Sequence, residues 1–183
     1  MHLDSYKRNW VKFIIGLLVC FSIRLIPFRA PNVEPVMATQ MPFAKQYGWL
    51  AGFMFGFFSI VFFDIVTSGI GVWTWVTAIA YGLVGVGAYA FLKNRRATAL
   101  QYVAYGIIGT LAYDAVTGIG MGTLLFHQSF MQTVLGQIPF TAMHLAGNVV
   151  FSFLLSPAIY KWVVKNEQLD WFAIRERLTA LVH

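Results

Sequence analysis

The sequence predicts an all-α membrane protein: a six-transmembrane-helix bundle with a short second helix and a C-terminal amphipathic helix at the membrane interface. Three observations carry that prediction. Hydrophobic residues make up 58% of the 183-residue chain and charged residues only 11%. Apolar runs at 10–28, 48–68, 73–92, 97–117 and roughly 133–162 each reach about 20 residues or more, enough to cross a hydrocarbon core of ~30 Å. Eleven of the thirteen Lys/Arg fall on one implied side of these runs, as cytoplasmic loops and tails do.

The first run follows Lys7, Arg8 and Lys12, as a secretory signal would. It is long, however, and ends in Arg24-Leu-Ile-Pro27-Phe-Arg29 without a small-residue cleavage site, so it reads as a retained helix. Lys45 stands at the foot of the next clear run and belongs on the cytoplasmic side, so residues 31–44 must cross back. As a helix of ~14 residues this stretch covers only about 21 Å. Pro35 suits a first helical turn, whereas Pro42 is expected to kink or end the helix. Such a crossing, carrying Glu34, Thr39 and Gln40, survives only where protein or a wet cavity covers it.

The third span carries Gly48, Gly52 and Gly56 at spacing four, which lets backbones approach closely. The fourth opens with Trp73 and Trp75, with Thr77 and Tyr81 deeper on a shared face. Lys93, Arg95 and Arg96 return the chain to the cytoplasm, and a five-span arrangement would put them outside. The links at 69–72 and 118–130 carry no Lys or Arg and are assigned outside. In the sixth span Pro139 disfavours helix at Ile138, so a helix either runs through it or begins there, leaving Gln137 at the cap. Lys161 and Lys165 close the count at six helices with both termini cytoplasmic. The transmembrane domain thus occupies 1–165 and a cytoplasmic tail 166–183. In that tail Trp171, Ile174, Leu178, Leu181 and Val182 share about 80° of helix surface, as expected of an interfacial helix.

Composition excludes several functions. The net charge of +6 comes from basic residues beside apolar spans, the positive-inside pattern rather than a nucleic-acid footprint. The single Cys20 lies within a span, so neither a disulfide framework nor a cysteine metal site is available. No GxxxxGK[ST], HExxH or G-x-S-x-G occurs, so no nucleotide site, cofactor, metal site or enzymatic activity is expected. His127 is too far along the chain from His144 to argue a metal pair.

Residues 56–67 and 106–117 align as a weak parallel repeat, matching Gly56 with Gly106, Asp64 with Asp114, Val66 with Val116 and Thr67 with Thr117. The two aspartates sit near the outer, C-terminal ends of their spans, where a carboxylate opposes the helix dipole. Ionisable groups at such depth face a bundle interior or a wet cavity. They either pair with Arg24 or Arg29, contact a ligand, or stay exposed. On the sixth span Gln137, Thr141, His144 and Asn148 fall within about 60° on one helix. This stripe serves as interhelical glue or as a binding surface. Trp73 and Trp75 are belt residues or a stacking wall for a flat ligand. Four segments thus place polar or aromatic groups at one depth, which defines a candidate pocket.

The chain resembles a substrate-binding S component of an energy-coupling factor vitamin transporter over most of residues 14–165. The resemblance rests on Pro31-Asn-Val-Glu-Pro35, Ser59-x4-Asp64, Trp73-Thr74 and Ile138-Pro-Phe-Thr-x2-His144-Leu-x-Gly-Asn148. It implies a membrane subunit that captures a water-soluble vitamin or related small molecule in an outward pocket. Its partners would be membrane lipid, a transmembrane T component and two cytoplasmic ATPase subunits. The expected substrate-binding residues are Asn32, Glu34, Asp64, Trp73, Trp75, Tyr81, Asp114, Gln137, Thr141, His144 and Asn148. Where the family's first helix often carries Ala-x-x-x-Ala for docking, this chain has Gly16-x-x-x-Cys20. A stand-alone proton-coupled solute transporter using Asp64, Asp114 and His144 is the alternative.

Overall fold

The computed structural model describes residues 3–27 and 33–180, and every regular element among them is helical. The helices are α1 (Leu3–Arg24), α2 (Val36–Tyr47), α3 (Trp49–Thr67), α4 (Val72–Leu92), α5 (Ala99–Asp114), α6 (Met121–Leu124), α7 (Phe130–Ile159) and α8 (Trp171–Ala180). A π-helical turn at Ala115–Gly120 joins α5 to α6, and another at Tyr160–Val164 extends α7. Among the described residues, four helical stretches are long and apolar enough to cross a membrane: Trp49–Thr67, Val72–Leu92, Ala99–Leu124 and Phe130–Val164.

Three boundaries differ from the sequence expectation, the first being the short crossing expected at 31–44, which is helical over Val36–Tyr47 with Pro35 just before its first turn. The fifth span does not stop near 117 but continues through the wider π turn to Leu124, because 118–124 contains no proline or charge to break it. Thr117 and Thr123 support this extension by donating their hydroxyls to the carbonyls of Tyr113 and Ile119. The sixth span begins at Phe130, where the Ser129 hydroxyl accepts from the Gln132 N–H, a side-chain N-cap. It runs through Pro139, so Gln137 lies within the helix and not at its cap.

The bundle is apolar outside, and its apolar core also holds most of the polar side chains of the spans. Ile65, Leu83, Leu111, Val150 and Leu154 are exposed, whereas Thr39, Gln40, Thr110, Asn148, Ser152 and Ser156 are buried. That distribution suits lipid, which offers apolar side chains a solvent and polar ones none. The expected glycine face of α3 is a packing seam. A side chain at Gly52 would meet the Gly85 carbonyl and Ala44, and one at Gly56 would meet the Tyr81 carbonyl and Gln40. Gly48 turns α2 into α3 at φ 99°, a left-handed value that glycine adopts without steric cost.

At the centre lies α2, whose residues Val36–Ala44 are all buried. Twelve residues rise about 18 Å, well short of a full crossing, and the surrounding helices supply the cover that such a segment requires. Pro42, expected to kink or end the helix, does not end it. The carbonyl that Pro42 leaves without a donor is that of Ala38, and the buried Ser156 hydroxyl of α7 donates to it at 2.7 Å. The Gln40 amide, in turn, donates to the Gly52 and Tyr81 carbonyls, both at 2.8 Å. This ties α2 to α3 and α4.

The tail docks on α1 through its first turn. The Trp10 and Trp171 rings lie 5.2 Å apart. The buried Lys12 ammonium pairs with Asp170 at 2.6 Å and donates to the Val164 carbonyl at 3.1 Å. Leu178 is exposed, and Leu181 and Val182 lie outside the described residues.

Candidate ligand-binding site

A cavity of about 190 Å³ opens where the C-terminal ends of α1 and α3 meet the N-terminal half of α4, with α5 and α7 behind. Its charged side holds Arg24, Glu34 and Asp64, and its aromatic side holds Trp73, Tyr81, Tyr113 and Phe140. Trp73 is half exposed at the mouth, whereas Tyr81 and His144 are buried at the base. A larger groove of about 280 Å³ runs between α1 and α3, but Ile14, Leu18, Phe21, Phe58 and Phe62 make it almost wholly apolar. It lacks the convergent polar groups that orient a soluble ligand.

Helical register explains the aromatic side. Trp73, Thr77 and Tyr81 repeat at spacing four on α4, so they stack along one face and all line the cavity. Tyr81 meets Tyr113 at 4.2 Å between ring centroids. Trp75, two residues along from Trp73, points elsewhere. It is exposed, lies 6.2 Å from the Phe57 ring and does not line the cavity. The pair of tryptophans therefore does not form one stacking wall.

The polar stripe of α7 is a single hydrogen-bonded chain. The Gln137 amide donates to Thr141 at 3.1 Å, the Thr141 hydroxyl donates to Asp114 Oδ2 at 2.7 Å, and Asp114 Oδ1 meets His144 Nδ1 at 2.7 Å. A carboxylate only accepts, so Nδ1 carries the hydrogen. In the neutral ring Nε2 is then an acceptor, facing the Tyr81 hydroxyl at 3.4 Å. The chain fixes both the tautomer and the orientation of His144 at the cavity base. Its other members stand behind the wall. One turn deeper, the Asn148 amide donates to Thr110 at 2.9 Å, also away from the cavity.

Of the alternatives left open for the two aspartates, pairing with Arg24 does not form, and Arg29 lies outside the described residues. Arg24 Nη2 donates to Glu34 at 3.3 Å and Nη1 to the Ser59 carbonyl at 2.7 Å. Its guanidinium also covers the Phe63 ring at 3.7 Å from the centroid. Asp64 instead accepts from the Thr74 hydroxyl at 2.7 Å. The two copies of the aligned segment thus make equivalent contacts. Asp64 accepts from a threonine of α4 and Asp114 from a threonine of α7, while Gly56 abuts α4 and Gly106 abuts Ser152 of α7.

Of the eleven expected residues, Glu34, Asp64, Trp73, Tyr81 and His144 line the cavity. Asp114, Gln137 and Thr141 position His144, Asn148 and Trp75 lie apart, and Asn32 lies outside the described residues. Sequence reasoning did not place Arg24, Ile60, Thr77, Tyr113 or Phe140 among the binding residues, though all five line the cavity. Two of these could have been found by register, since Ile60 and Phe140 each stand one turn before a polar lining residue. Among the described residues no cluster of His, Cys, Asp and Glu could hold a metal ion. Compared with known proteins, the chain matches no family model, no curated protein and no solved structure.

Proposed function

We propose that this protein is the membrane-embedded solute-binding subunit of an energy-coupling factor type importer, capturing a water-soluble, vitamin-like molecule in the cavity between Trp73 and His144. In this reading α1 and the short α2 add two crossings to the four long helical stretches, both termini are cytoplasmic, and the cavity opens outward in the plasma membrane. A transmembrane T component and two ATPase subunits would supply the energy. The observation that carries the reading is the one-sided cavity. Charged and aromatic groups line its mouth and base, while Met41, Leu92 and Tyr102 are fully buried and fill the opposite half of the bundle. Such an arrangement suits holding a solute on one side of the bundle.

The test is direct. The full chain, purified in lipid, should retain a small molecule identifiable by mass spectrometry. His144→Ala should weaken its binding roughly tenfold or more, the ~1–3 kcal/mol of a lost buried polar contact. The second reading, a proton-coupled transporter, draws on the Tyr81–His144–Asp114 hydrogen-bond chain. Accumulation of the retained molecule in vesicles holding only this protein and a proton gradient would establish that reading and overturn the first.

A further inference from the structure

We infer that the ligand carries a positively charged nitrogen, seated between the Asp64 carboxylate and the rings of Trp73 and Tyr81. The inference rests on the cavity being the binding site proposed above. It follows from which charges actually face the space. Arg24 is spent on its own neighbours: Glu34, the Ser59 carbonyl and the face of Phe63. Its side chain keeps only 5% of its surface, against 21% for Glu34, so the cavity sees more carboxylate than guanidinium. The Arg24–Glu34 pair cancels in charge. Asp64, half buried, has only the neutral Thr74 hydroxyl as a partner and no basic group beside it among the described residues.

The remaining wall reinforces the sign. Trp73, Tyr81, Tyr113 and Phe140 present aromatic surface, whose negative ring faces attract cations and do so more strongly when desolvated. His144 is paired with the Asp114 carboxylate at 2.7 Å, so the pair as a whole brings no net positive charge to the wall. An anionic ligand would set its charge against Asp64, and among the described residues the one cation lining the cavity, Arg24, is already paired with Glu34. At about 190 Å³ the space is smaller than the ~300–1,000 Å³ of drug-sized sites, so a compact, single-ring organic cation fits the chemistry best.

Three isosteric probes separate the possibilities: benzylammonium, benzyl alcohol and benzoate, titrated against the full chain in nanodiscs by calorimetry and tryptophan fluorescence. Benzylammonium should bind about tenfold or more tightly than the alcohol, the scale of a desolvated cation–π contact joined to a carboxylate, and benzoate should bind weakest. Asp64→Asn, which keeps an acceptor for Thr74, should abolish the preference for benzylammonium over the alcohol. Asp64→Glu should retain it and serves if the amide variant does not fold. Equal binding of the three probes, or preference for benzoate, overturns the charge assignment while sparing the site. If no probe binds, or if Trp73→Ala leaves all three affinities unchanged, the cavity reading falls and the inference with it.

Discussion

Removing the Asp114 carboxylate should be among the most destabilising single changes near the cavity. Asp114 is 2% exposed and receives two hydrogen bonds of 2.7 Å, from His144 Nδ1 and from the Thr141 hydroxyl. Asp114→Ala deletes both acceptors and leaves a buried imidazole N–H with nothing to donate to. Hydrogen bonds to charged partners contribute ~1.5–3 kcal/mol in soluble proteins, whereas interhelical bonds measured in membranes average ~0.6 kcal/mol. Taking roughly 1–2 kcal/mol for each bond, between those limits, the loss is roughly 2–4 kcal/mol. At ~2–4 °C per kcal/mol for a chain of this size, Tm should fall by roughly 5–15 °C. Asp114→Asn keeps one acceptor and should cost about half as much. The assay is thermal unfolding in nanodiscs by intrinsic fluorescence at a fixed scan rate, since membrane-protein unfolding is often irreversible. An Ala variant melting within about 1 °C of the parent would refute the role of Asp114 as the anchor of His144.

Three further outcomes are expected. Single cysteines placed at Lys45 and Gly71 should label from opposite faces of the membrane, with the buried Cys20 silent as background; labelling of both from one face would defeat the six-span count. Gly85→Leu should lower Tm, because its side chain would strike the Gly52 carbonyl and the Gln40 amide, an overpacking of ~1–3 kcal/mol or more. Gly71→Ala, with no atom within 4 Å of its added carbon, should not, and equal Tm values would show that the α2–α3–α4 seam is loose. Lys12→Ala removes the buried ammonium that pairs with Asp170 and donates to the Val164 carbonyl, a loss of up to ~3–5 kcal/mol when a largely buried pair is broken. It should release α8 to proteolysis while solute affinity stays unchanged, and an unaltered cleavage pattern would assign the docking to the Trp10–Trp171 contact alone.

Much of the helical content was legible because it is local. A run such as 48–68 is apolar but for Ser59, Asp64, Thr67 and Ser68, contains no proline and is long enough to span, and α3 occupies Trp49–Thr67 within it. The shared face of Trp73, Thr77 and Tyr81 was legible for the same reason, since spacing of four fixes register whatever the neighbours are. The polar stripe of α7 was likewise readable as one face. Its division into a cavity-lining His144 and a supporting Gln137, Thr141 and Asp114 was not.

Amino-acid sequence by itself determined that this is a helical, lipid-suited chain, where its long helices lie and which faces are polar, because apolar length and periodicity are properties of neighbouring residues. Tertiary structure alone decided the partners. Pro42 fails to end α2 because Ser156, distant in sequence, answers the carbonyl that the proline frees. Asp64 and Asp114 occupy matching positions of one repeat, yet one stands half buried at the cavity while the other is sealed behind His144. Arg24 turns to Glu34 rather than to either aspartate. Such choices depend on how helices far apart in the chain rotate and approach one another, and buried polar groups then bind whatever acceptor or donor that packing brings within reach.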